Sequence, residues 1–148
     1  MLTYSYREAN KIIRKLFRVG KYDTIPYSTH KHCTREDITV LLNELGCEVG
    51  AEIGVELGRH AKRMLDGIKS LNKFILVDPW CAYDKRTEEK ALSHYNNCLD
   101  RLSQDSDRIV YMKLKSMEAV EHIEDNSLDF VYIDGLHQFD FVMMDLIK

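Results

Sequence analysis

The chain has 148 residues, 45% of them hydrophobic and 30% charged, with a formal net charge of -3. That balance fits one globular domain with a real core and excludes a disordered or fibrous chain. The small, sign-mixed charge gives no field that would draw nucleic acid or an anionic membrane surface, so neither is expected as a partner and a small molecule fits better.

The amino terminus carries Arg, Lys and Glu through its apolar positions, and nowhere do eighteen apolar residues run together, so secretion and membrane spanning are not expected. Cysteines at 33, 47, 81 and 98 form no C-x-x-C pair and read as reduced thiols, which points to a cytoplasmic protein. In chain order, Ile12, Ile13, Leu16 and Phe17 recur at helical spacing and predict a short amphipathic helix from Tyr6 to Phe17. The stretch from Gly20 to Cys33 reads as an irregular connection, and its His30, His32 and Cys33 have no second pair at zinc spacing to answer them. Thr34 is placed as the N-cap of a helix that buries Ile38, Val40, Leu41, Leu42 and Leu45 and stops at Gly46. Residues 1-33 are thus taken as a satellite segment and 34-148 as the folded domain.

Beyond Gly46 short apolar runs alternate with longer amphipathic ones, the pattern of a parallel sheet covered by helices. Strands are predicted at Glu48 to Ile53, Lys73 to Val77, Arg108 to Lys113 and Leu128 to Ile133. Helices are predicted at His60 to Ile68, Glu88 to Leu102 and Met117 to His122, with a last one from about Phe139. The charged run Tyr83 to Lys90 reads as a solvated loop and helix start.

Four strand ends carry the chemistry. The first strand enters a turn with glycines at 54 and 58, where the backbone can bend tightly, approach a ligand and open a helix with unpaired N–H groups. Glu56 stands where a dinucleotide fingerprint has its middle glycine and would repel phosphates. Asp78 closes the second strand twenty positions after Gly58, the distance at which an acid reaches ribose hydroxyls. Ser116 ends the third and reads first as a helix N-cap, although a cap can also touch a base edge. The fourth ends in Asp134-Gly-Leu-His137 ahead of an apolar helix.

Taken together, Glu52, Gly54 and Gly58, then Asp78-Pro79-Trp80, then Ser116, then Asp134 and His137 resemble the ordered motifs of the class I S-adenosylmethionine-dependent methyltransferases, a bacterial and viral small-molecule branch of them. Glu56 departs from the usual central glycine. The resemblance implies a Rossmann-like doubly wound parallel α/β sheet, of which only the order 3-2-1-4 can be built here, so the chain is expected to stop before that fold is complete. It implies S-adenosylmethionine as cofactor, with Glu52 near its aminoacid end, Gly54, Val55 and Gly58 along the ribose and carboxypropyl chain, Asp78 on the ribose, and Pro79, Trp80, Ser116 and Met117 about the adenine. Asp134 would face both cofactor and acceptor, and in metal-dependent relatives such an Asp ligates magnesium (Mg2+), though one carboxylate does not make a site. His137 is either a general base for a hydroxyl or a histidine that caps or packs the last helix.

The expected reaction is O-methylation of a small hydroxylated acceptor. The alternatives are a non-catalytic cofactor-binding or oligomerising module and, more distantly, a nicotinamide dehydrogenase. A free edge on the fourth strand would suit a homo-oligomer.

Overall fold

A computed structural model describes residues 6–16, 37–136 and 138–147. The elements in order are α1 (Tyr6–Leu16), α2 (Asp37–Glu44), β1 (Val49–Ile53), α3 (Arg59–Gly67), β2 (Lys73–Val77), α4 (Glu88–Arg101), β3 (Ile109–Met112), α5 (Ser116–Ala119), β4 (Phe130–Ile133) and α6 (Phe139–Ile147). Short 3-10 segments, Ser103–Arg108 and Val120–His122, precede β3 and follow α5. The proposed Thr34 cap, the histidines at 30 and 32, Cys33 and the boundary between residues 33 and 34 lie outside the described residues.

All four strands are parallel, as the alternating pattern predicts, and their order β3-β2-β1-β4 is the one the family resemblance implies. Each strand is four or five residues long; β1 and β2 at the centre of the sheet are largely buried, whereas β3 and β4 at its sides are half-buried with one exposed residue each. On one face Phe74, Leu76, Trp80, Met64, Leu65, Ile68, Cys98 and Leu102 form the main core, beneath α2, α3 and α4. On the other, Ala51, Ile75, Val77 and Ala119 form a smaller cluster with Met112, Ile123 and Leu128. Helix α4 starts where the Thr87 hydroxyl accepts the Lys90 N–H at 3.2 Å, with Glu88 and Glu89 favourably placed in its first turn.

At the far side of the sheet β4 pairs with β1 alone among the described strands, and Val131 is 51% exposed. Helix α6 likewise exposes Phe141, Met143, Met144, Leu146 and Ile147. No helix among the described residues is long and apolar enough to cross a membrane. Cys47, Cys81 and Cys98 are free thiols. Burial pushes Cys98 up to about 12 and Cys47 up to about 11, the acids Glu52 and Asp129 respectively adding to the effect, so neither supplies a thiolate at neutral pH.

Two carboxylates fasten the sheet and its helices. Asp129, just before β4, accepts the N–H groups of Glu48 at 2.8 Å and Val49 at 3.0 Å, tying the start of β1 to β4. Burial pushes Asp129 up, but these two backbone donors outweigh it and hold the carboxyl below its ordinary value. Asp105 behaves alike: burial raises it, while Arg108 and Lys62 hold it down. A carboxyl lowered by folding contributes its stability above the unfolded value near pH 4 and loses it as pH falls through the folded value. Asp129→Asn is therefore expected to lose on the order of 1 kcal/mol at pH 7. Its stability should also decline less steeply than the wild type's between about pH 5 and pH 3, as denaturant melts across that range will show. A parallel decline in both proteins would refute the assignment.

Candidate functional site

The parallel register sets the site. Ile53 pairs with both Val77 and Ile133, so Gly54, Asp78 and Asp134 each stand one residue past the same level on β1, β2 and β4. Gly54 donates its N–H to the Val77 carbonyl at 2.9 Å, and Asp134 donates its own to the Ile53 carbonyl at 2.8 Å. Between these tips the turn takes three left-handed residues, Gly54 at φ 88°, Glu56 at 51° and Gly58 at 68°, before α3 begins. Gly58 is the N-cap of α3 and supplies no side-chain cap, which leaves the helix's first N–H groups to a ligand or solvent.

Asp78 is 8% exposed, and its carboxylate is turned onto the protein's own backbone. Oδ2 accepts the N–H groups of Val55 at 3.0 Å and Glu56 at 2.9 Å, while Oδ1 accepts that of Trp80 at 2.8 Å. The acid that the sequence places on a ribose thus also welds the glycine turn to the tip of β2. Trp80, at φ 38°, folds back and is 1% exposed. Its indole N–H donates to the Glu56 carbonyl at 2.8 Å and its ring lies 4.8 Å from that of Tyr95, so it fills the core beneath the turn; Pro79 beside it is half-buried.

Glu52, 1% exposed, points into the main core, where Nδ1 of His60 lies 3.4 Å from its Oε1. The His60 ring stacks on Tyr132 of β4 at 4.0 Å. A buried carboxylate needs such a partner, since an isolated one would be strongly disfavoured. His60, in the first turn of α3, stands between Glu52 and the uncapped helix end, a place that the motif spacing gives no hint of.

The sequence reading also passed over Arg86 and His94. Arg86 belongs to a run expected to be solvated, yet its side chain is only 16% exposed and its guanidinium donates to Glu56 Oε1 at 2.7 Å. Nδ1 of His94 lies 3.5 Å from the same oxygen. The run is a fastening, because Tyr83 and Arg86 exchange backbone hydrogen bonds of 3.2 and 2.9 Å and the guanidinium sits 4.7 Å from the Tyr83 ring centre.

Ser116 and Met117 lie at the start of α5. They line a cavity of about 230 Å3 on the sheet face opposite the main core, with Ala51, Ile53, Val131 and Asp145. The helix cap falls at Lys115, one residue earlier than expected, and Ser116 is the first helical residue. Asp134 is half-buried at the tip of β4, and His137 lies outside the described residues. Among the described residues no three His, Cys, Asp or Glu side chains gather where they could hold a metal ion.

A family model described as "Methyltransferase domain" matches residues 51–148, more than half of the chain. No curated protein matches. Among solved structures, the O-methyltransferase from Bacillus cereus in complex with SAH aligns with a TM-score of 0.52 at 15% identity, covering 97% of this chain and 63% of that one. Cofactor-bound Rv0187 from MTB aligns with a TM-score of 0.52 at 15% identity, covering 86% of this chain and 53% of that one. The chain therefore spans less than two thirds of the length of either structure. From the matched family and the parallel 3-2-1-4 sheet, the chain belongs to the class I S-adenosylmethionine-dependent methyltransferase family.

Proposed function

We propose that the chain binds S-adenosylmethionine across the tips of β1, β2 and β4 and serves methyl transfer to a small hydroxylated acceptor. The observation that carries this reading is the left-handed turn at 54 to 58, welded to Asp78 and followed by an uncapped helix end. A cofactor ending in an amino acid has a carboxylate for those free N–H groups and a cation for the Glu52–His60 side. Gly54, Val55 and Gly58 give a turn with no bulky side chain at its two glycines, so a nucleoside chain can lie close to the backbone.

When bound, the cofactor supplies a methyl group already activated by the sulfonium charge. What remains for the protein is to align donor and acceptor and to take up the acceptor's proton. Asp134, at the tip of β4 beside the turn, and His137, three positions further on, are the residues we assign to that proton. The cofactor-bound state of both solved relatives supports the choice of ligand.

Calorimetric titration with S-adenosylhomocysteine is expected to show one binding site, with no heat from NAD. Binding of NAD in its place would overturn the reading in favour of a dehydrogenase. Transfer of a labelled methyl group to a panel of hydroxylated acceptors then tests the reaction. Binding without transfer to any of them would leave a cofactor-binding module instead.

A further inference from the structure

We propose that His60 is a positioning residue for the cofactor's amino-acid end: its proton balances the buried Glu52 carboxylate until the cofactor's ammonium group takes that carboxylate over. The proposal rests on the cofactor reading above and adds to it the handling of one proton. Glu52 is 1% exposed, and a carboxylate so deep stays ionised only beside a cation or good donors. Nδ1 of His60 lies 3.4 Å from its Oε1. Among the described residues Glu52 is the one carboxylate within ion-pair distance of His60.

Packing alone does not account for a histidine here. The ring stacks on Tyr132 at 4.0 Å and its side chain is 9% exposed, yet Nδ1 makes no hydrogen bond among the described residues. A phenyl ring would fill the same place without an orphaned nitrogen, and burying such an atom unsatisfied is costly. As an imidazolium the ring turns a charged Nδ1–H toward the acid. In the first turn of α3 the helix dipole opposes that charge, so Glu52 is what holds it. On the same helix Lys62 is bonded to Asp66 and Asp105, while Arg59 and Arg63 are exposed. From β4 the facing group is the Tyr132 phenol, and from α4 it is the Cys98 thiol, which burial and the two acids Glu52 and Asp78 push up to about 12 and so keep neutral.

The pair lies behind the ligand turn. Glu52 stands two residues before Gly54 on β1, in register with Leu76 and Tyr132, and His60 stands two residues after Gly58 on α3. Cys98 ties them to the site: a Cβ on Gly58 would meet its Sγ at 2.8 Å, and Glu52 and Asp78 are both close enough to raise it. An ammonium group arriving at Glu52 sets a second positive charge beside the imidazolium, and a like charge so near weakens the ring's hold on its proton. The proton leaves Nε2 for solvent, Nδ1–H still faces Oε1, and the ammonium becomes the carboxylate's counterion. Because the free protein carries the extra proton, affinity for a ligand with an ammonium group rises with pH, by up to about tenfold per unit across the range where a histidine titrates.

The test follows the His60 ring of the full chain by NMR between about pH 6 and about pH 8, its resonance assigned by cross-relaxation with Tyr132 and by its loss in His60→Gln. The ligands are S-adenosylhomocysteine and its deamino analogue, which keeps the carboxylate and the adenosyl group but has no ammonium. S-adenosylhomocysteine is expected to move the resonance from its imidazolium toward its imidazole position, and the analogue to leave it in place. Over the same pH range the wild type's preference for S-adenosylhomocysteine over the analogue should grow about tenfold or more. A His60 resonance that responds alike to both ligands would overturn the proposal, as would a preference that does not change with pH. Either result spares the cofactor reading. Failure of the wild type to bind S-adenosylhomocysteine at all would remove that reading and this proposal together.

Discussion

Gly54→Ala is expected to destabilise the chain by about 3 kcal/mol and to abolish measurable cofactor binding, because two independent penalties fall on one methyl group. The first is conformational: φ 88° suits glycine and strains every residue with a Cβ. The second is steric. A Cβ there would lie 2.6 Å from the carbonyl carbon of Asp134 and 2.6 Å from Cα of Gly135, and closer still to the Asp134 oxygen. These are backbone atoms of the neighbouring strand end, fixed by the hydrogen bond from Asp134 N–H to the Ile53 carbonyl, so no rotamer change relieves the contact. The tips of β1 and β4 must separate, and the site lies between them. Gly46→Ala separates the two penalties, since Gly46 has φ 66° but nothing within 4 Å of an added Cβ. It should cost only about 1 kcal/mol and leave the affinity for S-adenosylhomocysteine unchanged. For a domain of this size the two variants should melt roughly 10 °C and 3 °C below the wild type. Equal melting temperatures for the two would refute the backbone collision.

The parallel sheet could be read in advance because strands buried on both faces are written as unbroken apolar runs, and the run Lys73–Val77 marks its strand to the residue. The errors at the other strands have local causes. The strand expected from Leu128 begins at Phe130, since Asp129 turns its carboxylate onto the N–H groups that open β1. The strand expected from Arg108 begins at Ile109, since Arg108 closes a 3-10 segment and donates to the Leu71 carbonyl at 3.1 Å. The glycine turn and the acid after β2 were legible from their spacing along the chain. What spacing does not encode is direction. It brings Asp78 beside the turn without saying that its oxygens face inward, and it marks Trp80 as adjacent without revealing that a left-handed φ folds it into the core. Arg86 was hidden for a different reason: a charged run looks solvated until a partner 30 positions earlier in the chain, Glu56, is known to meet it.

Loss of the Asp78 carboxylate tests the weld between β2 and the turn. Asp78→Ala leaves the N–H groups of Val55, Glu56 and Trp80 without an acceptor, and at about 1 kcal/mol for each the expected loss is roughly 3 kcal/mol. Asp78→Asn keeps one carbonyl oxygen, which can serve either the two turn donors or the Trp80 donor but not both. Its amide group must then face an N–H that it cannot accept, so the variant should fall between wild type and Asp78→Ala. Trp80 is the chain's single tryptophan and lies buried against Tyr95, so its fluorescence reports on the weld directly. Emission should shift to the red in Asp78→Ala, and the amide protons of Val55 and Glu56 should exchange faster than in wild type. Unchanged emission together with unchanged exchange at those two amides would mean that the turn holds its shape without Asp78. The left-handed backbone at 54 to 58 would then have to be maintained by the packing of Trp80 and by the Glu56–Arg86 pair alone.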